Sequence, residues 1–468
     1  MGTMLNQTGF TGEITYFRNL DSCILDALQA AQDKNMGPSE PTDFSILQKR
    51  LGACQSKHPP LYRENVIKPY ISTLNMLGEA GFSQVLSRDP SREGEACLML
   101  DIAQAILLHG EEDYNKKATD ALQEVVSDLY DGFLSAEDRR DIKPPDRGIV
   151  APLVKWGNSE YGPYTWPVDS TIDFGVKAAI VNLPIANAQR GIFAWAALGH
   201  ESAGHNIINA DTGLRQELRN CLWNGMRNAN LASSLSDYWA SRIDETASDV
   251  LGILNMGPAA GIALIGYFRA LNAAKGREPQ LRNIGLGNDP HPADILRGYL
   301  AASTVSLLNF SKANRWATAI EAETDKDLAR IQLGENSVIT PEEAKESALI
   351  AANCLVQTKM ECLGNHALGE IQNWHDDDEN IVRQVRSILK AFKPLPEIYS
   401  KDVYAAHVVA AAIVESLQGK IEVPMLFTRM INMLKALHDK NPSWGPLYVK
   451  YPGNIVPLNA YIPFKTTI

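Results

Sequence analysis

Cysteine is scarce in this chain and is never arranged as a disulfide or metal-binding framework. The 468 residues include six cysteines, and no two of them form a C-x-x-C pair. Small disulfide-stabilised domains and cysteine zinc clusters are therefore excluded as fold classes. Scattered, reduced thiols are typical of a cytoplasmic protein, and this is the localisation that we predict. The six residues are Cys23, Cys54, Cys97, Cys221, Cys354 and Cys362.

Long hydrophobic runs are also missing. The longest apolar stretches, at 257–268 and 405–414, are much shorter than the roughly 20 residues that a membrane-spanning helix needs. The first 20 residues contain no basic region followed by an apolar block, so no signal peptide is predicted. We therefore expect no membrane partner.

Positive charge is in deficit. The formal net charge is −11, and no run of lysine and arginine could follow a phosphate backbone, so we predict no nucleic-acid partner. The phosphate-loop motif G-x-x-x-x-G-K-[ST] and the serine-nucleophile motif G-x-S-x-G are both missing. The chain is 45% hydrophobic and 21% charged, which is the composition of a globular protein.

Helical periodicity dominates both ends of the chain, and a breaker-rich stretch at 143–148 follows the first helical part. We therefore predict a mainly α protein. A helical N-terminal region (1–145) and a helical C-terminal region (331–468) enclose a central α+β catalytic region (146–330). Helices are predicted at 21–35, 61–86, 93–109 and 114–134, and again at 341–359, 380–392, 402–417 and 425–437.

The central region begins with a short strand. Residues 178–184 are apolar and partly β-branched, and Pro184 makes this either an edge strand or the end of a strand. A helix at about 189–208 follows and carries two histidines. Another helix, at about 236–256, carries two carboxylates.

The two histidines give the strongest chemical signal. The sequence from His200 to His205 is H-E-S-A-G-H. In the zinc motif H-E-x-x-H the histidines are four residues apart and share a helix face. A spacing of five places them about 140° apart on an ideal helix. One extra residue absorbed as a π-bulge would bring them together, and Gly204, which lacks a Cβ, eases that distortion.

Carboxylates complete a ligand set suited to zinc, which in catalytic sites takes three protein ligands and keeps one open position. We predict His200, His205 and Glu245 as the ligands. Glu201 is the predicted general base, because it stands next to the first ligand. Asp249 lies on the same helix face as Glu245, and we predict that it accepts a hydrogen bond from the far nitrogen of a ligand histidine.

The surroundings of the motif favour a metal over a chance pattern. A histidine–glutamate pair on a helix is commonly ordinary surface chemistry, and a chance H-E-x-x-x-H in a chain of this length is on the order of 1%. The apolar lead-in at 192–198 indicates a buried helix. Polar side chains in a buried helix need partners, and a metal would supply one to all three.

With these residues in place, the sequence resembles the gluzincin metallopeptidases. The five-residue histidine spacing, with Gly204 before the second histidine, resembles the motif of the dipeptidyl peptidase III family. The resemblance is limited to that motif, and this chain is shorter than members of that family. The resemblance spans about 178–299 and implies a zincin-like catalytic unit. It implies zinc ligation by His200, His205 and Glu245, with Glu201 as the base.

The resemblance brings two further expectations. In gluzincins an edge strand before the zinc helix pairs with the extended substrate, and the resemblance implies this role for residues 179–183. The segment from Asp289 to Arg297 is similar to the His-Pro…Arg element that follows the glutamate helix in several zinc peptidase-like families.

A donor for the developing oxyanion is predicted among His291, Tyr238 and Arg242. Each also has a purely structural interpretation, as a turn residue in the case of His291 and as packing or helix-surface pairing in the other two. Arg297 is predicted to pair with a carboxylate. Three aromatic residues either line a substrate pocket or pack their own loop, and these are Tyr161, Tyr164 and Trp166.

The function that these patterns predict is zinc-dependent hydrolysis of a peptide or small amide substrate. One alternative is an inactive zinc-binding relative that serves as a binding or scaffold protein. Another is a zinc enzyme for a small non-peptide substrate, enclosed by the helical flanks. The sequence leaves the oligomeric state open.

Overall fold

A computed structural model describes residues 17–110, 114–134, 139, 142–143, 145–147, 150–335, 337–395 and 403–445, together with the backbone of 449–451 and 454–456. The protein is 65% helical, and its sheets have at most three strands. This confirms the predicted mainly α class. None of the helices in the described part of the chain combines the length and apolarity that crossing a bilayer requires.

Six α-helices precede the first sheet in the part of the chain that the structure describes. Capping and breaks explain their limits: the Asp43 carboxylate accepts a hydrogen bond from the Ile46 amide and starts the second helix. The fourth helix is kinked at Gly78, whose φ is 65°. The helices are α1 Leu20–Ala31, α2 Phe44–Cys54, α3 Pro60–Tyr62, α4 Lys68–Arg88, α5 Glu95–Gly110 and α6 Lys116–Leu134.

The remaining helices surround and follow the candidate site. Nine lie in the middle of the chain: α7 Val168–Thr171, α8 Ile192–Leu198, α9 Asn206–Ile208, α10 Leu214–Asn228, α11 Ser233–Ser241, α12 Ile243–Met256, α13 Pro258–Ala274, α14 Asp294–Ser306 and α15 Ala313–Asp325. Five follow: α16 Pro341–Gln357, α17 Leu368–Ile371, α18 Asp376–Ala391, α19 Ala405–Ser416 and α20 Val423–His438.

Among the described residues, eight short strands form three sheets. The first sheet has the order β1-β3-β2, the second the order β4-β5-β6, and the third pairs β7 with β8. The strands are β1 Leu153–Gly157, β2 Tyr164–Trp166, β3 Ile180–Pro184, β4 Ile284–Gly285, β5 Ile331–Leu333, β6 Ser337–Ile339, β7 Val449–Tyr451 and β8 Asn454–Val456.

The edge-strand prediction for residues 179–183 was wrong. Strand β3 is central: it pairs in parallel with β1 and antiparallel with β2. Pro184 is compatible with this position because it is the last residue of the strand, which was the other reading of the sequence. The edge nearest the histidine helix is instead β2, whose three residues were too few to reveal a strand by alternation.

The hydrophobic core is one cluster of buried side chains that extends from Leu20 in α1 to Trp444 after α20. It includes side chains from all three predicted regions. The boundaries predicted at 1–145, 146–330 and 331–468 stay predictions.

An aspartate from the first helix caps the histidine helix. The Asp26 carboxylate accepts hydrogen bonds from the amides of Gly191 (2.8 Å) and Ile192 (3.2 Å), at the N-terminus of α8. Burial raises the pKa of Asp26, and the two amide hydrogen bonds act in the opposite direction. A carboxylate here satisfies otherwise unpaired N–H groups and complements the helix dipole.

Candidate metal centre

The histidine helix changes its winding at the motif. After α8 the chain continues as a π-helix over Gly199–His205. The rings of His200 and His205 are 4.8 Å apart between centroids and nearly perpendicular. The predicted π-bulge is therefore confirmed, and it compensates for the extra residue between the histidines. Together with Glu201, their candidate ligand atoms all lie within 4.8 Å of one another.

Close backbone contact brings helix α12 against the π-helix. A Cβ on Gly204 would lie 2.4 Å from Ser248 Cβ and 2.5 Å from Ser248 Cα, so no larger residue fits. A Cβ on Gly252 would lie 3.0 Å from the backbone of Gly199 and His200. Glycine at these positions lets the two helices approach closely enough for the α12 carboxylates to reach the histidines.

We expect Gly204→Ala to lower the free energy of unfolding by about 1–3 kcal/mol, because the contacted atoms belong to backbone or Cβ and cannot rotate away. Urea denaturation measures this change. Gly52→Ala in α2 is the matched control, since no atom lies within 4 Å of its added methyl group. That variant should gain about 0.5–1 kcal/mol from lower chain entropy. Equal stability changes in both variants would refute the close-contact argument.

Glu245 on α12 faces both histidines. Its Oε2 lies 3.1 Å from His200 Nε2, and its Oε1 lies 3.7 Å from His205 Nε2. Oε2 is buried and receives no hydrogen bond with acceptable geometry. Burial works to raise the pKa of Glu245, but the neighbouring imidazoles His200 and His205 outweigh it and lower the pKa. Glu245 is thus a charged carboxylate that lies against both imidazoles, with Oε2 near His200 and Oε1 near His205.

This donor set fits a zinc ion. Two ligand atoms at about 2.0–2.1 Å from a tetrahedral zinc lie about 3.3 Å from each other. Glu245 lies 3.1 Å from His200 Nε2 through Oε2 and 3.7 Å from His205 Nε2 through Oε1, so each separation is near that value for a different carboxylate oxygen. Two imidazoles and one carboxylate are also the usual protein ligands of catalytic zinc, with one coordination position left for water.

Asp249 orients the first histidine, as predicted. Its Oδ1 lies 2.8 Å from His200 Nδ1, which leaves Nε2 directed at Glu245. Burial alone would lower the pKa of His200, but Asp249 and Glu245 raise it to about 10. The Ser248 hydroxyl lies 3.4 Å from His205 Nδ1. Each histidine thus has a partner on its far nitrogen and presents the other nitrogen to the centre.

Arg297 completes this support. Its guanidinium donates two hydrogen bonds to Asp249, from Nε to Oδ2 and from Nη2 to Oδ1, both at 2.7 Å. Burial raises the pKa of Asp249, but Arg297 overcomes this and holds the pKa at about 2. The predicted pairing of Arg297 with a carboxylate is confirmed, and the carboxylate is the one that orients His200.

Glu201 is hydrogen-bonded to a residue that the sequence analysis missed. The Thr165 hydroxyl in β2 lies 2.9 Å from Glu201 Oε2 and 3.1 Å from the Glu201 carbonyl oxygen. Two carboxylates therefore converge on the histidines. Glu245 Oε2 approaches His200 Nε2 and its Oε1 approaches His205 Nε2, whereas Glu201, whose carboxylate is also close to both histidines, accepts a hydrogen bond from a strand. The only sequence signal for Thr165 was its place in an aromatic, turn-rich stretch.

His291 also reaches the centre. Its Nε2 lies 3.4 Å from Glu245 Oε2, and its Nδ1 lies 2.9 Å from Asp289 Oδ1. Arg282 fixes that aspartate through a contact of 3.0 Å. The His291 side chain is 45% exposed, so it stands at the solvent side of the site. This is a suitable place for a donor to a substrate carbonyl.

Tyr238 and Arg242 instead support the loop that carries His291. The Tyr238 hydroxyl accepts a hydrogen bond from the Ala293 amide (2.9 Å). The Arg242 guanidinium stacks 3.8 Å from the Tyr238 ring centroid and donates to the Leu286 carbonyl (2.7 Å). Among the described residues these contacts favour the structural interpretation of both side chains. An oxyanion role for Tyr238 stays a prediction without a contact in its support.

No family model, curated protein or solved structure matches this chain.

Proposed function

We propose that this protein is a zinc-dependent hydrolase that cleaves peptide or amide bonds. One observation carries the proposal: the π-helix turns His200 and His205 toward Glu245 and leaves Glu201 beside them. The same donor set defines the gluzincin metallopeptidases, which the sequence motif resembles. None of the six cysteines forms a disulfide. This agrees with the cytoplasmic localisation that we propose.

The residues would divide the work as follows. His200, His205 and Glu245 would hold the metal, and Asp249 and Ser248 would keep the imidazoles oriented. Zinc, when bound, supplies Lewis acidity, which lowers the pKa of a water molecule and polarises a carbonyl group. The side chains of the protein would carry out the proton transfer and stabilise the oxyanion.

Glu201 would move the proton. Its carboxylate, positioned by the Thr165 hydroxyl, takes a proton from the attacking water and later delivers it to the leaving nitrogen. His291 Nε2 would donate to the carbonyl oxygen as negative charge develops there, with its other nitrogen fixed by Asp289. An oriented donor of this kind stabilises the transition state more than the substrate.

Metal analysis of the purified protein is the first test. We expect about one zinc per chain, and loss of most of it in Glu245→Ala and His205→Ala, because each removes one of three ligands. His375→Ala is the matched control, since this histidine is 55% exposed at the start of α18. Absence of zinc from the wild-type protein after incubation with equimolar zinc would sink the proposal.

Activity then separates the alternatives. A zinc-loaded protein that cleaves members of a peptide library is a peptidase. If it binds zinc at the predicted ligands but cleaves neither peptides nor small amides, the proposed hydrolase function is wrong. In that case the two alternatives take its place: an inactive zinc-binding scaffold, or a zinc enzyme for a small non-peptide substrate.

A further inference from the structure

A large cavity lies beside the candidate metal centre. Its volume is about 850 Å³, within the range of about 300–1,000 Å³ typical of ligand sites. It is bounded by the loop at 36–40, by α5 and the residues before it, and by β1 and β2. More than half of the lining residues therefore come from the N-terminal helical region, to which the sequence assigned only the enclosure of a small substrate, as one alternative.

The charges inside the cavity are mostly neutralised by one another. Arg92 pairs with Glu40 at 3.2 Å, and Lys155 pairs with Asp101. Glu93 is the one other charged side chain among the lining residues that the structure describes. The cavity therefore presents little net charge to a ligand, and the Glu93 carboxylate disfavours the binding of an anion.

Aromatic side chains supply the main binding surface. Tyr164 and Trp166 are half-buried, Tyr161 is 62% exposed, and Trp156 forms a buried part of the wall. Such side chains offer large, rigid, apolar faces on which a ring or a bulky aliphatic group can pack. The sequence left open whether Tyr161, Tyr164 and Trp166 line a pocket, and the structure places all three in this one.

One buried carboxylate holds that aromatic wall in place. Asp101 is 4% exposed and sits in the apolar helix α5, where a carboxylate needs partners. Its Oδ2 accepts hydrogen bonds from the Tyr164 hydroxyl (2.7 Å) and from Trp166 Nε1 (2.8 Å). Asp101 is a positioning residue: both of its oxygens are engaged by side chains, Oδ1 by Lys155 and Oδ2 by Tyr164, Trp166 and Cys97.

Strand β2 joins this cavity to Glu201. Alternate residues of a strand face opposite sides, so Tyr164 and Trp166 share the Asp101 side while Thr165 projects the other way, to Glu201. Within the described chain β2 pairs only with β3, and its outer edge can accept an extended peptide backbone. A peptide on that edge would alternate its side chains between the cavity and the candidate metal centre.

We propose that this aromatic cavity, lined by Tyr161, Tyr164 and Trp166 beside the free edge of β2, binds an aromatic or bulky apolar side chain of a peptide substrate. The proposal rests on the hydrolase function for the claim that the bound peptide is cleaved, but binding itself needs no metal ligand. It makes β2, rather than β3, the substrate-pairing strand.

Binding is measured with Glu201→Gln protein, with and without chelator, by calorimetry. The probes are acetylated pentapeptide amides of glycine with phenylalanine, tryptophan or alanine in the central position. We expect the aromatic peptides to bind about tenfold or more tightly than the alanine peptide, because burial of an aromatic ring is favourable. The preference should persist after metal removal, since the cavity contains none of the proposed ligands.

A filling variant locates the site. Ser39→Trp places a bulky side chain in the cavity wall and should remove the aromatic preference, whereas Ser87→Trp, at an exposed position on α4, should retain it. Equal affinity of all three peptides for the parent protein, or the same loss in both variants, overturns the proposal.

Hydrolysis by the wild-type protein gives a second readout. Asp101→Asn should raise KM for the phenylalanine peptide by about tenfold and raise KM for the alanine peptide much less, as expected for loss of a positioned aromatic wall. Aromatic binding without hydrolysis supports the cavity and rejects the hydrolase. Hydrolysis of all three peptides with equal kcat/KM supports the hydrolase and rejects the cavity as its substrate site.

Discussion

Glu201→Gln should reduce kcat by about a hundredfold to ten-thousandfold, because a neutral amide cannot take a proton from water. Glutamine has the shape of glutamate and can still accept the Thr165 hydroxyl hydrogen bond, so the site should keep its geometry and its zinc. Activity on a cleaved peptide and zinc content are measured on the same preparation. The zinc measurement decides whether an activity loss is chemical or structural.

Glu335→Gln, on the β5–β6 turn, is the matched control and should leave kcat and zinc content unchanged. Full activity in Glu201→Gln would remove Glu201 as the base. Loss of zinc together with activity would instead assign Glu201 as a metal ligand, in place of Glu245.

Asp249→Asn should cost about 3–5 kcal/mol of unfolding free energy, because it leaves the buried Arg297 without its carboxylate. It should also weaken zinc binding by about 10–100-fold, since His200 loses the partner that orients it. Urea denaturation measures the first effect, and competition with a chelator measures the second. The exposed pair Lys68–Glu64 is the control: Glu64→Gln should change stability by less than about 1 kcal/mol.

A double variant separates the two roles of Asp249. Adding Arg297→Met removes the unpaired buried cation and should restore part of the stability. It should not restore zinc affinity, because His200 Nδ1 still faces an amide. Unchanged zinc affinity in Asp249→Asn would show that His200 is oriented without this carboxylate.

Interactions within one or two neighbouring helices were predictable from the sequence. His200 and His205 belong to one motif, and Glu245 and Asp249 belong to another. The histidines are five residues apart, one more than in H-E-x-x-H, and this spacing itself indicated the π-bulge. Helical periodicity also gave the mainly α class. Each of these inferences uses the periodicity of the helical backbone over a short segment, so it did not require knowledge of which distant segments contact each other.

Residues that meet through sheet pairing or across loops could not be predicted. Strand β3 looked like an edge because a single sequence does not show that Leu153–Gly157 and Tyr164–Trp166 pair on its two sides. Thr165 and Asp101 carried no motif, and their roles exist only because β2 lies between α5 and the π-helix. Tyr238 was a candidate oxyanion donor on the helix predicted to carry Glu245, but its hydroxyl accepts a hydrogen bond from the Ala293 amide.

The cap that Asp26 provides on α8 has a kinetic consequence. The hydrogen bond between the Gly191 amide and Asp26 joins residues 165 positions apart in the sequence. The ion pair between Arg297 and Asp249 joins residues 48 positions apart. Contacts of such long range form slowly, because chain entropy must be lost before any contact energy is gained. During synthesis the histidine helix is complete about a hundred residues before Arg297 exists. The candidate metal centre is therefore completed in the late steps of folding, after α1 and α14 have both joined it.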